Sequence, residues 1–184
     1  MAKKKSRAVF LDRDGTILNE RGYLGDPGKM KFYSSAFRGL KLLQKMKFKL
    51  VVISNQSGVA RGLFTLADLK KVNVAFKARL AKKGIRLAGI YYCPHSPTAG
   101  CSCRKPRAGM AIRAARDLQL DLTSSYVIGD QKGDMDLARR IKAKGLLVLT
   151  GAGAAYRGVA KKFGSTITKN LVTAARWIKK QEAL

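Results

Sequence analysis

Short apolar runs, each ending on polar residues and each followed by a stretch with helical spacing, constrain this chain more than any other feature of its 184 residues. Val9-Phe10-Leu11, Leu50-Val51-Val52-Ile53, Ala88 to Tyr92, Tyr126-Val127-Ile128-Gly129 and Leu146 to Leu149 each read as a buried parallel strand. A weaker strand falls near Ser165 to Ile167. Between the runs, Phe37, Leu40, Leu42, Leu43 and Met46 recur at helical spacing after a cap at Ser34 or Ser35. Thr65 and Asp68 cap a helix running to about Lys83, which Gly84 closes. Further helices are expected over Gly109 to Leu118, with Ala111, Ile112, Ala115 and Leu118 on one face, over Met135 to Lys144, and over Leu171 to Lys180. Strands alternating with helices imply an α/β fold: a doubly wound, Rossmann-like parallel sheet with right-handed crossovers.

In such a sheet, ligands sit beyond the carboxyl ends of the strands, so the polar residues at those ends are the candidate site. The first run ends in Asp12 and Asp14, one residue apart, and breaks at Gly15. The break lets the second carboxylate turn back above the first, so that one can attack while the other moves protons. The second strand ends in Ser54-Asn55-Gln56-Ser57-Gly58, where the Ser54 hydroxyl can donate to a phosphoryl oxygen. Lys105 can neutralise charge that builds in a transition state. Asp130 ends the fourth strand, and with Asp12 and the main-chain carbonyl of Asp14 it suits an oxygen-rich Mg²⁺ site. Asp134, one helical turn later, can orient Lys105 or a metal-bound water. Gly151-Ala152-Gly153 is a glycine turn at a strand mouth and not a dinucleotide fingerprint, because no G-x-G-x-x-G follows an early strand.

Three Cys and one His are the whole stock of soft ligands, and all lie between Cys93 and Cys103. An odd cysteine count in a cytosolic setting argues against a disulfide framework and favours metal. Cys93-x-His95 and Cys101-x-Cys103 form two chelating pairs joined by five residues, a donor set for closed tetrahedral Zn²⁺ of structural role. The plainer alternative is a loop of free thiols. A bound ion would clamp the loop directly before Arg104 and Lys105.

The pentad from Asp12 to Thr16 resembles the D-x-D-x-T motif of the haloacid dehalogenase superfamily of phosphotransferases. Ser54, Lys105 and Gly129-Asp130-x-x-x-Asp134 follow in the order of that superfamily's remaining motifs. The resemblance implies that Asp12 is the nucleophile, forming an aspartyl-phosphate, and that Asp14 is the general acid and base. Longer runs narrow it. Ser54-Asn55-Gln56-Ser57-Gly58-Val59-Ala60-Arg61-Gly62, Tyr91-Tyr92-Cys93-Pro94-His95 and Cys101-x-Cys103-Arg104-Lys105-Pro106 are similar to the D-glycero-D-manno-heptose 1,7-bisphosphate 7-phosphatase group and its relative histidinol-phosphatase. The match spans about residues 7 to 151. It implies substrate contacts from Asn55 and Arg104 as well as Lys105. The length suits one domain, a haloacid-dehalogenase-like domain over residues 1–184. The polar stretch Asn19 to Lys31, with Gly22, Gly25, Pro27 and Gly28, reads as a loop over the strand mouth and is too short to be a large cap domain.

Charge points the other way. Lys and Arg number 38 against 11 Asp and Glu, a formal +27 that attracts sugar phosphates, nucleic acid or acidic membrane surface alike. A nucleic-acid-binding protein or a polynucleotide 3′-phosphatase is therefore the competing expectation, beside histidinol-phosphate phosphatase. Against it, the surplus lysines are scattered, as in Lys70-Lys71, Lys82-Lys83 and Lys161-Lys162, and no aromatics interleave the basic stretches. Nucleic-acid binding is expected to be weak and non-specific at most. No apolar stretch is long enough to span a bilayer, and Met1 to Lys5 precede only four apolar residues, too few for a signal peptide. A cytoplasmic monomer acting on a small sugar phosphate is the expectation.

Overall fold

The computed structural model describes residues 5–19 and 22–183. Residues 1–4, positions 20 and 21 of the expected mouth loop, and residue 184 lie outside the described residues. In chain order the elements are β1 (Ser6–Leu11), α1 (Ala36–Lys45), β2 (Lys49–Asn55), α2 (Leu66–Ala81), β3 (Leu87–Cys93), α3 (Gly109–Leu118), β4 (Leu120–Gly129), α4 (Lys132–Arg140), β5 (Lys144–Val148), α5 (Arg157–Lys162), β6 (Thr166–Thr168) and α6 (Leu171–Glu182). The strands form one sheet in the order β3-β2-β1-β4-β5-β6, and every neighbouring pair is parallel.

Period-two alternation divides the apolar runs between two faces. Val9 and Leu11 of β1, Leu50 and Val52 of β2, and Tyr126 and Ile128 of β4 pack with Leu40 and Leu43 of α1, Val72 and Phe76 of α2, and Leu171 and Ile178 of α6. Ala8, Phe10, Val51, Ile53 and Val127 face the other way, onto Met110, Ala111 and Ala114 of α3 and Leu137 of α4. Both faces of the central strands are covered, which is why these strands read as continuous apolar runs.

Several boundaries differ from expectation for local reasons. At α1, Ser35 occupies the cap position but its side chain makes no capping hydrogen bond. At α2, by contrast, Thr65 and Asp68 form a reciprocal capping box. On α3 the expected Ala111, Ala115 and Leu118 pack on the sheet together with Met110 and Ala114, but Ile112 stands 57% exposed. α4 starts three residues before Met135, because Gln131 and Asp134 cap it, and it ends early, with Lys142 in a left-handed turn at φ 56°. β4 is longer than Tyr126 to Gly129. Its register against β1 shifts between Arg7 and Val9, and the Ser125 hydroxyl accepts the Ala8 N–H there at 3.0 Å. The 3-10 turn Gly153–Tyr156 and the six-residue α5 carry too few residues to show a period and were not expected.

Candidate active site

From β1 the chain runs to β2 on one side, and β4 pairs on the other, so the crevice beyond β1 is the point where strand order reverses. Asp12 enters it directly after β1, its N–H donating to Ile128 of β4 at 2.9 Å. Asp130 enters after β4 and is held in a cradle of backbone. The Ala152 N–H donates to its Oδ2 at 2.8 Å. Gly15 and Gly151 flank it at φ 90° and 56°, and a Cβ on either would lie 2.3 or 2.2 Å from Asp130 Oδ2, so only glycine fits.

Lys105 reaches in from the loop after β3. Its Nζ lies 2.5 Å from Asp12 Oδ1 and 2.6 Å from Asp134 Oδ1, and all three side chains are buried. Burial works against a charged lysine, yet the carboxylates of Asp12 and Asp134 outweigh it and raise the Lys105 pKa, so the ammonium persists. Burial pushes Asp12 well above the usual carboxylate range; Lys105 opposes this, and Asp134, Asp130 and Asp14 reinforce it. Burial likewise pushes Asp130 up to about 6, against the Ala152 N–H and with help from Asp134. Oxygens of Asp12, Asp130 and Asp134 lie within 4.8 Å of one another. Three buried carboxylates thus share one ammonium, an excess of negative charge that a divalent cation would balance.

Asp14 is placed differently. Its carboxylate is not part of that cluster; it accepts from Arg13 Nε at 3.0 Å and Nη2 at 2.9 Å, and from Gln56 Nε2 at 2.6 Å. Arg13, 1% exposed, is anchored in turn by Asn73 of α2 at 3.1 Å. Arg13, Gln56 and Asn73 were not singled out from the sequence. An arginine between two aspartates looks solvated, and only the burial of the β1 end turns it into a structural cation.

Ser54 sits at the β2 mouth with its Oγ 2.8 Å from Gln56 Nε2. Asn55 clamps the backbone of Lys105: the Lys105 N–H donates to Asn55 Oδ1 at 3.0 Å, and Asn55 Nδ2 donates to the Lys105 carbonyl at 3.2 Å. One N–H of that amide remains. Arg104 lines the same cavity, of about 660 Å³, and its buried Nη1 has no partner among the described residues. Tyr23 of the mouth loop and Lys132 of α4 complete the rim.

Beside the pocket, Cys93, His95, Cys101 and Cys103 converge. Cys93 Sγ lies 3.6 Å from both His95 Nδ1 and Cys101 Sγ, Cys103 Sγ lies 3.3 Å from His95 Nδ1 and 3.5 Å from Cys101 Sγ. Those separations are close to the edges of a tetrahedron with centre-to-ligand bonds of about 2.1–2.3 Å. Burial pushes the Cys93 thiol up to about 12. Burial acts the same way on Cys101, but the Arg104 N–H and the neighbouring thiols of Cys103 and Cys93 overcome it and bring Cys101 down to about 6.

Known proteins resemble this chain over most of its length. The family described as HAD-hydrolase-like matches residues 102–173. A D-glycero-beta-D-manno-heptose-1,7-bisphosphate 7-phosphatase of Photorhabdus laumondii is 38% identical over 179 residues, which cover 94% of this chain and 95% of the relative. The Escherichia coli K12 protein of the same name is 37% identical over 186 residues, 97% of each chain. The crystal structure of D,D-heptose 1,7-bisphosphate phosphatase from B. bronchiseptica, complexed with magnesium and phosphate, superposes with a TM-score of 0.85 at 29% identity, over 95% of this chain and 99% of that one. A parallel sheet carrying this aspartate and lysine cluster at its reversal point, with these relatives, is a phosphatase of the haloacid dehalogenase superfamily. Within that superfamily the chain belongs to the heptose-1,7-bisphosphate 7-phosphatase family.

Proposed function

We propose that the chain removes the 7-phosphate of D-glycero-D-manno-heptose 1,7-bisphosphate through an aspartyl-phosphate on Asp12, with Mg²⁺ at Asp12, the Asp14 main-chain carbonyl and Asp130. The observation that carries the reading is the cluster of Asp12, Asp130 and Asp134 around Lys105 in one cavity. The surplus of buried carboxylates fits a divalent ion. When bound, the ion supplies the positive charge that lets an anionic nucleophile approach an anionic phosphate. Asp12 attacks phosphorus; Lys105 neutralises charge on the phosphoryl oxygens; Ser54 donates its hydroxyl to one of them. Asp14 gives a proton to the departing sugar oxygen, then takes one from the water that opens the phosphoenzyme. Asp134 orients Lys105 and would steady the residues that hold the ion.

Arg104 and the free N–H of Asn55 bind the substrate. The unpaired buried nitrogen of Arg104 supports this, since a guanidinium without an acceptor is costly unless a ligand supplies one. Cys93, His95, Cys101 and Cys103 would hold a structural Zn²⁺ with four protein donors, which would fix the strand-to-loop segment that presents Arg104 and Lys105. Residues 1–184 act as a single domain and a cytoplasmic monomer. No helix among the described residues is long and apolar enough to cross a membrane.

The test is phosphate release across both anomers of the heptose bisphosphate, histidinol phosphate and 3′-phosphorylated oligonucleotides, with Mg and Zn content measured on the same protein. The expected result is a preference for the heptose bisphosphate, in the β form for which the relatives are named. Faster turnover of the oligonucleotide would instead give the +27 charge a catalytic meaning.

A further inference from the structure

Gln56 is 5% exposed and its main-chain N–H donates to the Cys93 carbonyl at 2.7 Å, so its backbone is fixed to the end of β3. Its side-chain nitrogen lies between two groups of the site, 2.6 Å from Asp14 Oδ2 and 2.8 Å from Ser54 Oγ. It is the amide nitrogen and not the oxygen that faces both groups, and an amide nitrogen only donates. Both N–H bonds of that nitrogen are then engaged. Because the Ser54 oxygen accepts from Gln56, its own O–H is left to donate into the cavity. Opposite Gln56, the Arg13 guanidinium grips the same Asp14 carboxylate and is itself anchored on α2 through Asn73. Two unconnected segments therefore hold one carboxylate.

We propose that Gln56 is a positioning residue for phosphoryl transfer: one amide sets both the Asp14 carboxylate and the Ser54 hydroxyl, tying the proton-handling group to the phosphoryl-binding group. This rests on the reading of Asp14 and Ser54 given above. In the first half-reaction an Asp12 oxygen bonds to phosphorus, the bond from phosphorus to the sugar oxygen breaks, and a proton from Asp14 goes to that oxygen. In the second, water attacks phosphorus, Asp14 takes the water's proton, and Asp12 and inorganic phosphate are released. A displaced Asp14 delivers its proton poorly, which matters for an alkoxide leaving group and little for p-nitrophenolate, which departs without protonation.

Gln56→Met keeps length and volume and removes the donors. The experiment compares kcat on the heptose bisphosphate with the first-turnover burst of p-nitrophenol from p-nitrophenyl phosphate, at saturating Mg²⁺, with thermal midpoint and zinc content recorded on each sample. The expected result is a loss on the order of 10²-fold in kcat on the sugar substrate and a smaller loss, less than about tenfold, in the burst rate, which needs the Ser54 hydroxyl but not the Asp14 proton. Gln56→Asn, which keeps the amide but shortens its reach, should show the same split at smaller size. Equal losses on both substrates would mean a merely structural role and overturn the proposal, as would unchanged turnover of the sugar. Asp14→Asn, assayed alongside, separates the failures: full turnover in that variant would remove the acid/base reading itself, whereas an inactive Asp14→Asn beside a fully active Gln56→Met would remove only the role of Gln56.

Discussion

The catalytic cluster and the cysteine cluster lie next to each other yet are built in opposite ways. Asp12 and Lys105, in contact at 2.5 Å, are 93 positions apart in the chain, and Asp130 comes from a third segment. The four soft donors all come from residues 93–103. In the first cluster the sheet does the assembling: every member is buried, and its charges meet because β1 and β4 pair side by side while the loop after β3, clamped by Asn55 at the end of β2, brings in Lys105. In the second, Cys93 is buried at a strand end while Cys101 and Cys103 are half-buried and His95 is not buried, so little core holds the donors together. A site assembled by the core is present before its ion arrives. A site assembled by a loop would depend on a bound ion for its shape.

The largest effect is expected at Asp12, the proposed nucleophile. Asp12→Asn should lower phosphate release by more than about 10³-fold while the thermal midpoint stays level or rises, because a neutral amide relieves a crowded set of buried carboxylates. Measurable turnover within tenfold of the parent would take Asp12 out of the chemistry. Lys105→Met comes next and strikes both activity and fold: kcat should drop about 10²-fold or more, and urea denaturation should report a loss of roughly 3–5 kcal/mol, since two buried carboxylates lose their partner. A variant as stable as the parent would show that the cluster is less enclosed than its burial implies.

At the cysteine loop the effect should be smaller and confined. Cys101→Ser, or a strong chelator with Mg²⁺ restored, should lower kcat about tenfold and raise amide hydrogen exchange over residues 93–107, while β1, β2 and β4 remain protected. A protein isolated without zinc and fully active would dissolve the contrast between the two clusters. Smallest of all should be the response of sugar-phosphate turnover to salt, less than about twofold between 50 and 200 mM, while duplex DNA binding disappears over the same range as released counterions cease to drive it. Binding that survived at the higher salt would mean that the scattered lysines form a surface.

Much of this was legible because the signals are local. The apolar runs, the Thr65 cap and the span of α3 each follow from neighbours within a few positions, and the donor spacing of Cys93, His95, Cys101 and Cys103 was readable in the same way. The family motifs named the members of the pocket in order, but not their partners. Of the expected α3 face, Ala111, Ala115 and Leu118 do pack on the sheet, but Ile112 stands exposed and Met110 and Ala114 pack in its place, because apolar character at one position does not say how the helix is turned. β4 was placed too short, because a register shift held by Ser125 hides the strand's first half from any pattern of period two.

By itself the sequence determined the strand-and-helix alternation, the two aspartates at a strand end and the soft-ligand cluster, since each is written in residues close together and the chain's local geometry leaves few alternatives. Only the tertiary structure decided that Arg13 is a buried anchor, that Asn55 clamps the backbone of Lys105, and that Gln56 joins Asp14 to Ser54. Each of those is a hydrogen bond between polar groups removed from water, and which donor meets which acceptor depends on how distant segments pack and on what water is left to compete.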